Sequence, residues 1–378
     1  YARRVGGPFY LFHRERKWNP GEECWMGWER KRGKLMEFNH LLAGRPTSYV
    51  IQIGDLDRLS GVRYVITLDA DTLLPQSGAR RLIATLAHPL NRPRFDPHTG
   101  RVIAGYTILQ PRVEIKPTVA AHSRFTQIFG SDAGLDLYTR AVSDVYQDFF
   151  GAGLYTGKGI YDVAAFERSL ENRVPENRLL SHDLFEGIHG RVGLVTDIVL
   201  YEDYPTSYLA YVRRLHRWVR GDWQLLPWLL PRVPAADGGR LPNPLSVIDR
   251  WKIIDNMRRS LLAPALLTIL VVGWVWLPGS TLLWTSVVMI ALAALAFAGV
   301  LTAWLRRLRG QFMLWITHTW WTAAFRWVLA MAFLPYEALV MVDAIAATGI
   351  RMFITHKRLL QWTTASHTVR LFGKQTRL

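Results

Sequence analysis

The sequence has one cysteine, Cys24, in 378 residues. An internal disulfide is therefore excluded, and a reduced compartment fits, with Cys24 read as a free buried thiol. Acid is also scarce, with 30 Asp and Glu against 46 Lys and Arg, giving a net charge of +16. Such a balance suits a partner carrying negative charge, either nucleic acid or anionic lipid. The sequence signatures of nucleic-acid modules are missing, so no nucleic-acid partner is expected. From Ser260 to Leu305 there is no Asp, Glu, Lys or Arg at all, a run of 46 residues. Internal repeats and low-complexity tracts are missing too. The opening "YARRVGGPFYLFHRERKW" lacks both an initiator methionine and the apolar core of a signal peptide. A piece of a longer protein is the expectation.

Among what is present, "VRYVITLDADT" (Val62 to Thr72) comes first. Val65, Ile66, Thr67 and Leu68 read as a short buried strand that ends in two carboxylates one residue apart. Ligands of open α/β sheets sit beyond the carboxyl ends of strands. Strand alternation lets Asp69 and Asp71 face one hard cation such as Mg2+, completed by substrate phosphates. The alternative is a turn in which Asp caps the next helix.

Residues 1–204 alternate short apolar runs with helical stretches, the pattern of an α/β domain. Strands are expected over Phe9–His13, Tyr64–Leu68, Val102–Gln110 and Gly193–Leu200, and helices over Ala79–Ala87 and Ser123–Phe129. Residues 205–259 turn aromatic and basic, pass through a Pro/Gly-rich connector and end in a charged helix, Val247 to Arg259. These read as interfacial amphipathic helices. The charge-free run of 260–305 divides at Pro278–Ser280 into Leu261–Leu277 and Thr281–Leu305, a transmembrane hairpin. Arg250, Lys252, Arg258 and Arg259 precede it, and Arg306, Arg307 and Arg309 follow. The positive-inside rule then puts the N-terminal domain in the cytosol. In 306–378, Arg326, Glu337 and Asp343 interrupt the apolar pattern. A third span and a pair of interfacial helices both remain open there.

Four further stretches carry polar chemistry. "WERKRGKLMEFN" (Trp28 to Asn39) sets a basic run beside a helix start, suited to a diphosphate or simply to solvent. "GAGLYTGKGIYD" (Gly151 to Asp162) is a glycine-rich loop leading into an apparent helix, without P-loop spacing. Its glycines let backbone approach a sugar, or only make turns. "LLSHDLFEG" (Leu179 to Gly187) carries Asp183 and Glu186. "RRLHRWVRGDWQ" (Arg213 to Gln224) places arginines and tryptophans on a helix against the membrane, where they also serve as plain anchors.

In this order the motifs resemble the processive family-2-like membrane glycosyltransferases, with D-x-D, an acidic T/E-E-D and Q-x-x-R-W. Closer still, "MGWERKRGKLMEFN", "ITLDADT", "YTGKGIYD", "LSHDLFEG" and "RRLHRWVRGDWQ" resemble the glycosyltransferase domain of bacterial cyclic β-1,2-glucan synthases. The resemblance runs on through "LPYEALVMVDAI" and "KRLLQWTTA". It implies a GT-A-type, Rossmann-like α/β domain in the bacterial inner membrane, lacking its first strand and helix, followed by interfacial and transmembrane helices.

The resemblance further implies inverting transfer from UDP-glucose to a glucan acceptor, with Mg2+ or Mn2+ at Asp69 and Asp71. Asp183 carries over as the general base, and Arg217 and Trp218 as the Arg-Trp pair for diphosphate and acceptor sugar. Arg214 stands where the family has Gln, which leaves that residue's role open. Lys34 and Lys158 are candidate phosphate or acceptor contacts, and Glu186 a supporting acid. A related synthase of another linkage fits the same motifs. A non-catalytic basic membrane scaffold fits the charge and tryptophans but not the ordered acids. The rest of a longer synthase chain is the expected covalent partner.

Overall fold

The computed structural model describes residues 8–120, 123–129, 143–307 and 316–362. Its central sheet has four strands: β1 (Tyr64–Thr67), β2 (Ile108–Ile115), β3 (Gly159–Asp162) and β4 (Val192–Glu202). Their order is β4-β2-β3-β1; β2 and β4 are parallel, and β3 runs antiparallel to both neighbours. Side-chain alternation sends Leu109 and Ile160 to one face and Ile108 and Tyr161 to the other. Helix α1 (Arg30–Leu42) covers the second face together with α3 (Val163–Leu170), through Leu42 and Phe166. The first face is covered by α2 (Gly78–Ala87), whose Leu82 and Leu86 lie one turn apart and are buried. Both faces are thus apolar, as the nearly unbroken apolar reading of β3 requires.

The expected strand over Val102–Gln110 is in fact two. Val102–Ala104 pairs with Arg94–Phe95, the chain turns at Gly105, and β2 begins at Ile108. The glycine-rich segment leads first into β3, because Ile160 and Tyr161 are each buried on opposite sheet faces; the helix α3 follows. Two edge pairs were not read from the sequence: Leu11–Arg14 with Tyr49–Ile53, and Lys17–Asn19 with Cys24–Met26. The strand placed at Phe9–His13 appears as the first of these, at Leu11–Arg14.

Beyond β3 the chain forms α4 (Asp183–Gly190), α5 (Tyr208–Trp223), α6 (Val247–Ser260), α7 (Leu262–Val275), α8 (Thr281–Arg307) and α9 (Ile316–Ile350). The connector before α6 holds a small hairpin, Arg232–Pro234 with Arg240–Pro242. Lys252, counted among the basic residues flanking the membrane run, is buried and donates to the Ala152 and Gly153 carbonyls at 2.9 and 3.0 Å. α6 and α7 meet at a bend of 47°. Pro264 explains it, since proline cannot donate to the carbonyl four residues back, at Ser260.

α7 and α8 form the expected hairpin, tied by Trp274 Nε1 donating to Thr285 Oγ1 at 2.9 Å and Trp284 Nε1 to the Pro278 carbonyl at 3.1 Å. At 14 residues α7 is shorter than the expected Leu261–Leu277 segment. Among the described residues, the helix long and apolar enough by itself to cross a membrane is Trp320–Thr355, 36 residues. That is about 54 Å of helix against a hydrocarbon core of about 30 Å. α6 with α7 counts as a second only if the bent pair is one span. The segment left open between one span and two interfacial helices is therefore one continuous helix, with Pro335 inside it.

Arg326, Glu337 and Asp343, the charges of α9, each have a protein partner. Arg326 donates to the Ile128 carbonyl, Glu337 accepts from the Tyr208 hydroxyl at 2.9 Å, and Asp343 lies 3.0 Å from His216 Nε2. α9 also packs on α5 through Met341, Ala344 and Val219, joining the apolar helices to the α/β body. Arg309 and the end of "KRLLQWTTA" lie outside the described residues.

Candidate active site

The site forms where β1 ends beside the start of β3, because Thr67 pairs with Gly159. Asp69 follows β1 in a turn closed by the Thr72 amide donating to its carbonyl at 3.0 Å. Its carboxylate takes Lys31 Nζ at 2.6 Å on Oδ1 and Lys158 Nζ at 3.5 Å on Oδ2. Burial alone would raise the Asp69 pKa, but Lys31 and then Lys158 outweigh it and hold the carboxyl below its usual value. Asp71 is half-buried and makes no hydrogen bond or ion pair among the described residues.

Lys158 is anchored at the far side of the site. Its ammonium lies 2.5 Å from Glu202 Oε1 at the end of β4, and Thr72 Oγ1 donates to the same oxygen at 3.2 Å. A buried cation paired in this way is held in place by the protein.

Lys31 is set by a constrained turn. Glu29 and Arg30 both adopt positive φ, 49° and 51°, a region uncommon for residues with a Cβ. Arg14 fixes the turn by donating to the Trp28 and Arg30 carbonyls at 2.7 and 2.6 Å, and Glu29 pairs with Arg32 at 2.7 Å in the interior. A Cβ on Gly33 would sit 2.0 Å from the Trp28 carbonyl oxygen, so only glycine lets α1 start this close to the turn. Lys31 Nζ then reaches both Asp69 and the Gly157 carbonyl, the latter at 3.2 Å. Burial would lower the Lys31 pKa, but Asp183, Asp69 and Glu186 raise it on balance. Lys34 is exposed one turn further along the helix, and Lys31 is the residue of this run that meets the carboxylates.

Asp183 opens α4, where a carboxylate suits the positive end of the helix. Gly157, at φ 81°, lies directly against it: a Cβ there would be 2.5 Å from Asp183 Oδ1. His182 Nδ1 is 3.5 Å from Asp183 Oδ1 and 2.8 Å from Glu186 Oε1. Arg217 comes from α5. Burial lowers its pKa on balance, while the charges of Asp183 and Asp69 pull the other way, so all three share one electrostatic field. Its guanidinium lies over the Trp362 ring at 4.7 Å, and that of Arg214 over Trp218 at 4.5 Å. Arg214, in the Gln position of the motif, thus stacks on the tryptophan beside Arg217.

Asp69 meets Lys158 directly, Asp183 and Asp69 act electrostatically on Arg217, Arg214 stacks on Trp218 of the same helix, and Asp71 shares the turn of Asp69. Lys31, Glu202, His182 and Trp362 were missed as site residues. Lys31, His182 and Trp362 had a signal, since they lie in the basic run, in "LLSHDLFEG" and in "KRLLQWTTA"; Glu202 had none. As donors for a metal, the carboxylates of Asp69 and of Asp71, the latter without a partner among the described residues, are hard ligands of the kind Mg2+ or Mn2+ prefers.

Fold and site describe a mixed α/β domain with an acid-lined sheet end, packed on apolar helices. The resemblance read from the motifs holds along nearly the whole chain. Over 366 residues, 95% of its length, the chain is 42% identical to the cyclic beta-(1,2)-glucan synthase NdvB of Rhizobium meliloti (strain 1021). It spans 12% of that relative's length. No family model matches it.

Proposed function

We propose that this chain is the glucosyltransferase part of a cyclic β-1,2-glucan synthase, moving glucose from UDP-glucose to a growing glucan with inversion. The observation that carries the reading is the meeting of Asp69, Lys31, Arg217 and Asp183 at one sheet end. Two carboxylates and two cations there match the two needs of the reaction, a neutralised leaving diphosphate and a base.

Asp183 takes the proton of the acceptor hydroxyl as the acceptor oxygen bonds to the anomeric carbon and the bond to UDP breaks. Lys31 and Arg217 face the diphosphate charge, and the planar fork of Arg217 suits phosphate oxygens. Trp218 and Trp362 offer flat faces for a sugar's apolar C–H surface. Asp71 and Asp69 would hold Mg2+ or Mn2+, which supplies further charge neutralisation of the diphosphate when bound. The α/β body is a GT-A-type domain on this reading. α9 and the α7–α8 hairpin enter the bacterial inner membrane, and the basic flanks Arg250, Arg258, Arg259, Arg306 and Arg307 keep the catalytic body cytosolic.

Membranes carrying the full-length parent chain test the reading, with radiolabelled UDP-glucose as donor. Transfer into a β-1,2-linked product that stops in an Asp183→Asn variant is the expected result. A product of other linkage overturns the substrate assignment, and undiminished transfer in D183N overturns the base.

A further inference from the structure

The start of α4 holds a group of side chains that the transfer chemistry above leaves unused. His182 and Glu186 are one turn apart, with side chains 6% and 2% exposed and Nδ1 2.8 Å from Oε1. Three buried atoms there make no hydrogen bond: His182 Nδ1, Asp183 Oδ1 and Glu186 Oε2. Ring and carboxylate therefore approach closely without lining up as a hydrogen bond. Asp183 Oδ1 is wedged between that imidazole, 3.5 Å away, and the Gly157 backbone. Yet the Asp183 side chain as a whole is 30% exposed while Oδ1 is buried. What the carboxylate shows to solvent therefore lies on the Oδ2 side.

The donor atoms of His182, Asp183 and Glu186 lie within 4.8 Å of one another, a spacing that would also suit a metal ion. The cluster also acts around Asp183: Lys31 and Arg217 both feel Asp183, and Lys31 feels Glu186 as well. Tyr155 completes the wall; its hydroxyl is 3.1 Å from Thr67 Oγ1, and its buried ring lies in the field of Glu186.

We propose that His182, held in place by Glu186, is the positioning residue for Asp183: it pins Oδ1 against Gly157 and leaves Oδ2 as the oxygen that takes the acceptor's proton. The inference rests on Asp183 being the base. Burial favours the neutral ring, but Glu186 and then Asp183 outweigh it and raise the His182 pKa.

The test uses the full-length chain in membranes, with kcat and KM for UDP-glucose measured for H182A, H182N and D183N. The Asn amide nitrogen falls near the Nδ1 position, so it fills that place beside Asp183 Oδ1 without the ring. H182A should lower kcat about 10- to 100-fold, the scale of a misplaced catalytic group, with KM changed less than about 2-fold. H182N should recover about half or more of that loss on a logarithmic scale. If H182A retains full kcat, or H182N is no better than H182A, or KM rises together with the fall in kcat, the positioning role is wrong. UDP-glucose binding by each variant shows that it is folded; should H182A fail to bind, H182N against the parent decides. Unreduced turnover in D183N instead removes the base on which the inference stands, whatever the His182 variants do.

Discussion

Gly157 lies so close to Asp183 that a Cβ on it would stand 2.5 Å from the Oδ1 atom of the carboxylate. The glycine-rich loop and the acid-bearing helix, which the sequence offers as two separate motifs, therefore form one wall. Gly157 also passes its carbonyl to Lys31, so a single residue touches the acid and the cation of the site.

Gly157→Ala should show this contact in activity more than in stability. The alanine must adopt φ near 81°, a cost of roughly 1–2 kcal/mol. It also pushes Asp183 aside, and a catalytic group misplaced by about 1 Å costs on the order of 10²-fold in rate. Turnover measured beside the thermal midpoint separates the two effects; a fall in the midpoint with unchanged turnover would show that Asp183 is not held by this loop.

Lys31 and Lys34 give a direct comparison. Lys31→Ala frees Asp69 from its nearest cation and should raise KM for UDP-glucose by about 10-fold or more, the scale of a charge-assisted hydrogen bond. Lys34→Ala, on an exposed turn, should change it by less than about 2-fold. Equal effects in steady-state kinetics would contradict this placement of α1.

Asp71→Ala should remove metal-dependent transfer, since its carboxylate is the one in the turn without a partner among the described residues. Chelation of the parent enzyme should stop transfer and added Mn2+ restore it, while the variant responds to neither. Transfer unaffected by chelator would take Asp69 and Asp71 out of metal binding. Far-ultraviolet circular dichroism should be the same for both chains, because a half-buried turn residue adds little to the core.

Asp222 gives a pH dependence of stability. It lies in the α5–α6 seam, with the Asn256 amide donating to it at 3.2 Å. Burial pushes its pKa up to about 7, only partly opposed by that amide. The folded state therefore holds a proton that the unfolded chain releases near pH 3.8. Stability from this group falls as pH rises from about 4 to about 7 and stays low above that. Asp222→Asn should raise the thermal midpoint at pH 8 and leave it unchanged near pH 4. A gap of equal size at both pH values would mean that Asp222 is not protonated in the folded protein.

Local sequence settled a good deal of this protein. Consecutive β-branched residues made a strand of Tyr64–Thr67 and set Asp69 at its end, because strand propensity and the following turn are properties of neighbouring residues. The uncharged run from Ser260 and the Pro-Gly-Ser break dictated an α7–α8 hairpin for the same reason. Tertiary structure decided which polar side chains share a site. Lys31 rather than Lys34 reaches Asp69 because Arg14 pins the turn before α1, a contact whose partners are 14 and 16 residues away. Lys158 is claimed by Glu202 across the sheet, and the charges of α9 find partners on α5 and at Ile128. Such pairings depend on helix phase and strand register between segments far apart in the chain, and no local pattern records them.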